Sequence, residues 1–245
     1  DKRWLYYDPK LVSRAGHDIM KHLMLSNLAL LVTRQLSTEH FRHVFVADSL
    51  VDRDPLSVAT RERTQIFPMY LYPSDDSATL FDAAIQTSNW PPDSEHDNRV
   101  PNFSKTFIDD FEARLGYSFD AYKAGNAPGD VFGPRDVLAY IYAVLHSPTY
   151  RERYSEFLKI DFPRIPLTSD VDLFWNLVGL GSELIDLHLM DHPKLAETIT
   201  SFPVPGNNRV KPRGGYPKFI PAGESRTQTS EVTEESRVYI NLKQY

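Results

Sequence analysis

The side chains best suited to chemistry here are histidines and arginines, and their spacing decides what they can do. His188 and His192 stand four apart in HLMDH, which brings two imidazoles to one face of a helix. The metalloprotease pattern places a glutamate directly after the first histidine; Leu189 occupies that place, and Pro193 ends the helix. His40 and His43, around Phe41-Arg42, read as surface groups. With no cysteine in 245 residues, thiol nucleophiles, thiolate metal sites and disulfides are excluded. There is no G-x-S-x-G elbow and no glycine-rich loop ending in Lys-Ser or Lys-Thr. Gly179-Leu180-Gly181 lacks the third glycine of a dinucleotide fingerprint. Pro91-Pro92-Asp93 lacks the aromatic that an amino-methyltransferase stacks on an extruded base. The expectation is a chain with no catalytic residues and no metal of its own.

Arginine chemistry remains. Ser147-Pro148 has the form of a helix start, because serine accepts from a first-turn amide and proline has no amide to lose. Tyr150, Arg151 and Arg153 follow it directly, where a phosphate would find cations; the competing reading pairs those arginines with Glu152, Glu156 or an acidic loop. Arg34-Gln35 ends a continuous apolar run, a position that often forms a binding edge. Arg53, Arg61 and Arg63 stand in a polar stretch, residues 48–65, that reads as a solvated loop.

The elements that must position these groups follow from pattern. Residues 4–7 (WLYY) read as a strand ending at Asp8-Pro9, and residues 17–25 as a short helix. Residues 28–33 (LALLVT) read as a strand buried on both faces, residues 44–47 (VFVA) as a second, and residues 67–72 (FPMYLY) as a third, with Pro68 marking an edge or bulge. Residues 73–100 read as a long acidic loop. A helix capped by Ser104 and stopped by Gly116 comes next, then one opened by Pro134 that runs to the break at Ser147. Beyond the break, Tyr150, Tyr154, Phe157 and Leu158 fall on one helical face; a further helix follows Ser169, with Phe174, Leu177, Val178, Gly181, Leu184, Ile185 and His188 on or near one stripe. Residues 202–228 read as an extended basic loop and residues 237–242 (RVYINL) as a final strand. The fold class expected is α+β: a strand-rich part (1–72), the acidic loop (73–101), a helical part (102–200), then the basic loop and last strand (201–245).

Charge is unevenly placed. The net value of −6 argues against nucleic-acid binding through overall charge. Residues 201–220 nevertheless hold Arg209, Lys211, Arg213 and Lys218 with no acid, so local grip on a polyanion is open. A hydrophobic content of 41% with 24% charged residues fits a globular soluble chain. No apolar run reaches the roughly 18–20 residues of a membrane span, and DKRWLYYDPK lacks the apolar core of a signal peptide. A cytoplasmic setting and a fragment of something longer are expected.

Particular stretches carry a resemblance. DKRWLYYDP (1–9), NLALLVTRQ (27–35), HVFVAD (43–48), FPMYLYP (67–73), LGSELIDLHLM (180–190), FPVPGNNRV (202–210), RVYINLKQY (237–245) and above all YIYAVLHSPTYRERYSEFLKIDFPRIPL (140–167) resemble the C-terminal specificity region of Type ISP and single-chain Type II restriction-modification enzymes. The family's Arg-Pro-Phe before the position of Asp1, and its continuation past Tyr245, are missing. The resemblance implies a non-catalytic target-recognition domain that binds double-stranded DNA beside a methyltransferase domain of the same polypeptide. It needs no cofactor itself, while the parent, an adenine-N6 DNA methyltransferase and endonuclease, uses S-adenosylmethionine. For that role the residue types make Arg34, Gln35, Arg61, Arg63 and Gln65 candidates for base edges, because each stretch pairs arginine with glutamine, with Asn207, Asn208 and Arg209 as a second such cluster. Tyr150, Arg151, Arg153, Lys211 and Arg213 would contact DNA alongside them. The alternative is a structural or interaction module that packs against the methyltransferase domain.

Overall fold

The computed structural model describes residues 18–36, 40–51, 56, 63–73, 90, 95, 98–125, 128–198, 200–225 and 232–245. The expected strand at residues 4–7, most of the acidic loop, Arg53 and Arg61 lie outside the described residues. The chain divides into two compact units, Asp1–His192 and Pro193–Tyr245. The fold is α+β, with small sheets towards both ends.

In the first unit, β1 (Ala29–Thr33) is the central strand of an antiparallel sheet, flanked by β2 (Val44–Ala47) and β3 (Thr64–Pro68). Both faces of β1 are covered, as its unbroken apolar composition requires. Asn27 fixes its entry: Oδ1 accepts from the amides of Leu28 (2.9 Å) and Tyr70 (3.1 Å), and Nδ2 donates to the carbonyls of His22 (2.9 Å) and Tyr70 (2.8 Å).

The third strand differs from the expectation. It begins at Thr64, inside the stretch read as a polar loop, and stops at Pro68; β4 (Tyr70–Leu71) then pairs in another sheet with β5 (Val100–Pro101). Polar Thr64 and Gln65 are tolerated because β3 is an edge strand, and Pro68 sits at its end, where a missing amide matters least.

The helices form the core. α1 (Lys105–Leu115) is capped by Ser104, whose Oγ accepts from the Phe107 amide (3.3 Å), and ends on Gly116 at φ 70°, a left-handed conformation that favours glycine. The short parallel strands β6 (Ser118–Phe119) and β7 (Val131–Phe132) lead to α2 (Pro134–His146). Ser147 ends α2 and caps α3 (Pro148–Arg153), accepting from the Tyr150 amide at 3.4 Å. The chain then breaks at Tyr154 before the single turn α4 (Ser155–Leu158). That break ends the regular period, so Tyr150 and Leu158 are buried while Tyr154 is exposed, instead of all sharing one face. α5 (Val171–His188) packs on α2, with Phe174, Val178, Gly181 and Ile185 of the expected stripe buried, Leu177 and Leu184 half-buried at its margin and His188 exposed at the helix end. Phe111, Phe132, Tyr140 and Phe174 meet there at ring separations of 5.4–5.8 Å. No helix among the described residues is long and apolar enough to cross a membrane.

The second unit is small. β8 (Lys218–Ile220) and β9 (Arg237–Tyr239) pair antiparallel, and Tyr216, Ile220, Tyr239 and Tyr245 make its core. β9 covers only half of the expected final strand, because Asn241 and Gln244 turn the chain back.

Candidate nucleic-acid interface

The strands of the first sheet present their arginines at one end. Thr33 of β1 faces Thr64 of β3, so Arg34 and Arg63, one residue further along each strand, leave the sheet side by side. Val32 faces Val44 of β2, which brings Arg42 to the same end. Stretches that are distant in sequence are thus joined by register. Arg34, Gln35, Arg42 and Arg63 are exposed, and Gln65 is half-buried opposite Val32. Arg42 and Arg63 have no ion-pair partner among the described residues.

Arg34 is the restrained member. Its Nε donates to Asp161 Oδ1 at 3.1 Å, and its guanidinium carbon lies 5.9 Å from the ring centre of Phe162. Asp161 is anchored in turn. Its own amide donates to the Phe157 carbonyl (3.3 Å), and the Phe162 amide, then Arg34, holds its carboxyl below the usual carboxylate range.

The helix-start residues are largely engaged within the protein. Tyr150 is buried and its hydroxyl donates to the Arg164 carbonyl at 2.8 Å. Arg151 turns inward: Nε donates to the Leu145 carbonyl (2.6 Å), and Nη2 lies 3.0 Å from His146 Nδ1. Burial, then the guanidinium of Arg42, acts against its charge. Arg153 is exposed beside Tyr154 in a cleft of about 420 Å³ between α3 and α5.

Tyr142 and His188 pack around the ring of His146. Tyr142 Oη and His188 Nδ1 are 2.5 Å apart, and the His146 ring lies 4.4 Å from that of Tyr142. Burial, then Arg151 and His188, holds His146 down to about 4, so it is a neutral acceptor for the guanidinium.

A separate cleft of about 400 Å³ is lined by Arg99, Lys123, Arg135, Asp48, Asp186 and Asp191. Lys123 donates to the buried Asp136 (2.7 Å) and Arg135 to Asp186 (2.9 Å), while Arg99 stacks on Tyr70 (4.1 Å). Acids and bases balance there, so the cleft has no cationic excess. Among the described residues no cluster of His, Asp and Glu is arranged for a metal.

In the second unit, residues 204–211 wrap around Gln244. Its Oε1 accepts from the Asn208 amide (3.1 Å) and Asn241 Nδ2 (3.0 Å), and its Nε2 donates to the Val204 carbonyl (3.1 Å) and Asn208 Oδ1 (2.9 Å). Asn241 also donates to the Arg209 carbonyl (3.1 Å), and Asn207 Oδ1 accepts from the Arg209 amide (3.1 Å). The Asn208 carboxamide is therefore engaged in holding the loop. Arg209, Lys211 and Arg213 stay exposed.

All 245 residues match the family model described as Type ISP C-terminal specificity domain. The chain belongs to that family. A solved structure similar to this specificity domain is the DrdV–DNA complex, at 19% identity and TM-score 0.52 over 95% of this chain and 20% of that one. Another is a nuclease-deletion mutant of the Type ISP restriction-modification enzyme LlaGI in complex with a DNA substrate mimic. It has 24% identity and TM-score 0.38 over 66% of this chain and 10% of that one. The specificity domain thus spans a small part of the length of either. No curated protein matches.

Two groups at the sheet end are missed by sequence reasoning. Arg42 has a legible signal: it precedes one buried strand as Arg34 follows another, and an antiparallel pairing of the two brings them together. Asp161 has none, since its contact with Arg34 spans 127 positions.

Proposed function

We propose that this specificity domain recognises a DNA sequence on behalf of a restriction-modification enzyme, by readout and without a reaction of its own. The observation that carries the reading is the register of β1 with its neighbours, which gathers Arg34, Gln35, Arg42 and Arg63 at one sheet end. Such a group supplies both the cations that fix position on phosphates and the forked donors that reach base edges. Arg153, Arg209, Lys211 and Arg213 add exposed positive charge for the backbone, whereas Tyr150, Arg151 and Asn208 hold the scaffold. The parent polypeptide is an adenine-N6 methyltransferase and endonuclease of the cytoplasm; its methyltransferase domain binds S-adenosylmethionine and extrudes the adenine from the DNA that this domain reads. That DrdV was solved in complex with DNA supports this reading.

A second reading is a packing module for the methyltransferase domain. It is favoured by an apolar groove of about 440 Å³ between the sheet and α2, lined by Leu30, Phe67, Ile141, Leu145 and Phe162.

Fluorescence anisotropy of the parent enzyme on duplexes, from low to high salt, separates the two. Under the recognition reading, affinity falls steeply with salt, and Arg42→Ala with Arg63→Ala lowers the slope by roughly 0.9 for each phosphate no longer neutralised. Unchanged affinity, slope and sequence preference in the double variant would assign the sheet end to packing instead.

A further inference from the structure

Arg34 differs from Arg42 and Arg63 in being held by one edge only. Asp161 takes its Nε at 3.1 Å, and the ring of Phe162 lies under the guanidinium. Phe162 is itself set edge-on to Phe67 of β3, with ring centres 5.8 Å apart. Asp161 and Phe162 belong to a short segment tied to α4 and the sheet, and the Arg34–Asp161 pair itself stands at the surface. Neither Nη1 nor Nη2 has a partner among the described residues.

A guanidinium held at Nε keeps its far edge, with two parallel N–H groups, free and oriented. That edge matches the O6 and N7 acceptors of guanine in the major groove. A phosphate also presents paired acceptors, but Asp161 stands beside the guanidinium and repels an anion, whereas it does not repel a neutral base edge. The same carboxylate can accept from the amino group of cytosine, which adjoins guanine O6 in a G·C pair. Side-chain order also counts: an arginine fixed before binding loses less rotational freedom on contact than a mobile one.

We infer that Asp161 is a positioning residue that orients Arg34 to read the guanine of a G·C pair in the recognised DNA sequence. This rests on the DNA-recognition reading and goes further by naming the base and the residue behind the reader.

The test is selection of binding sites from a randomised duplex library by the parent enzyme. Wild type and the variants Arg34→Ala, Asp161→Ala and Asp161→Glu would be compared, with melting curves confirming that each folds. Wild type should enrich a motif containing a G·C pair that Arg34→Ala leaves at least about tenfold less discriminated, the other positions keeping their preference. Asp161→Ala should weaken the same base pair and no other, and Asp161→Glu should restore part of it. If the motif is unchanged in Arg34→Ala and Asp161→Ala, or binding falls equally for all sequences, the inference is wrong while DNA recognition stands. A change confined to an A·T pair also overturns it. A wild-type enzyme that enriches no motif overturns the recognition reading itself.

Discussion

Gly181 of α5 lies against the backbone of Ala139 in α2, so close that an added β-carbon would stand 1.9 Å from the Ala139 carbonyl oxygen and 2.7 Å from its carbon. The helix pair that carries the core depends on this close approach.

Glycine inside a helix ordinarily costs up to about 1 kcal/mol relative to alanine, so Gly→Ala should stabilise wherever there is room. Gly179, two residues earlier on the same helix, has nothing within 4 Å of the place a β-carbon would take, and Gly179→Ala should raise stability by a few tenths to about 1 kcal/mol. Gly181→Ala should do the reverse and destabilise by about 3 kcal/mol, because backbone on the facing helix cannot rotate away. Chemical denaturation of the two variants measures both signs; equal effects would show that the helices separate freely.

The His146 cluster makes stability depend on pH. Burial holds His146 at about 4 in the folded protein, against 6.5 for a free histidine, with Arg151 and His188 acting the same way. Between these values the unfolded chain binds the proton that the folded chain refuses, so stability is full above about pH 6.5 and declines as pH falls towards 4. The slope should approach about 1.4 kcal/mol per pH unit for this one group. Denaturation midpoints measured from about pH 7 down to about 4.5 should fall less steeply in His146→Gln; an identical slope in the variant would place the titrating group elsewhere.

Gln244 organises the loop that carries Arg209, Lys211 and Arg213. Its buried carboxamide has partners on both its nitrogen and its oxygen, and a β-carbon on Gly206 would stand 2.3 Å from its Cδ. Gln244→Ala leaves the Asn208 amide and the Val204 carbonyl without partners, at a cost of roughly 2 kcal/mol or more. Hydrogen exchange at residues 204–211 should quicken in Gln244→Ala and in Gly206→Ala. Under the recognition reading, DNA affinity should drop by a similar factor for every sequence; unaltered exchange in both variants would show that the loop holds its shape without the carboxamide.

Local chemistry makes much of the scaffold legible in the sequence. Ser104, Gly116, Pro134 and Ser147 mark helix ends through capping groups or backbone limits that act within a few residues, and the apolar run of β1 carries its own burial. The departures arise where tertiary context overrides local pattern. Thr64 and Gln65 are polar yet form a strand because an edge position supplies a partner on one side, and the Tyr154 break interrupts a sound helical period. The sheet end itself is half legible: Arg34 and Gln35 stand out after an apolar run, but their alignment with Arg63 and Arg42 is a property of register, and the hold of Asp161 on Arg34 is set by chain folding. The inward turn of Arg151 is equally invisible, since its partner is a carbonyl six residues back.

The pleat of β1 has a consequence for how such a domain changes over time. Leu31 and Val32 are locked among buried neighbours, but residues 35 and 63 lie past the last rung of the ladder and touch little of the interior. Replacement there costs a fold almost nothing, typically within about 0.5 kcal/mol. Under the recognition reading, a lineage can therefore exchange the side chains of this rim one at a time and sample new preferences while the frame beneath them stays as it was.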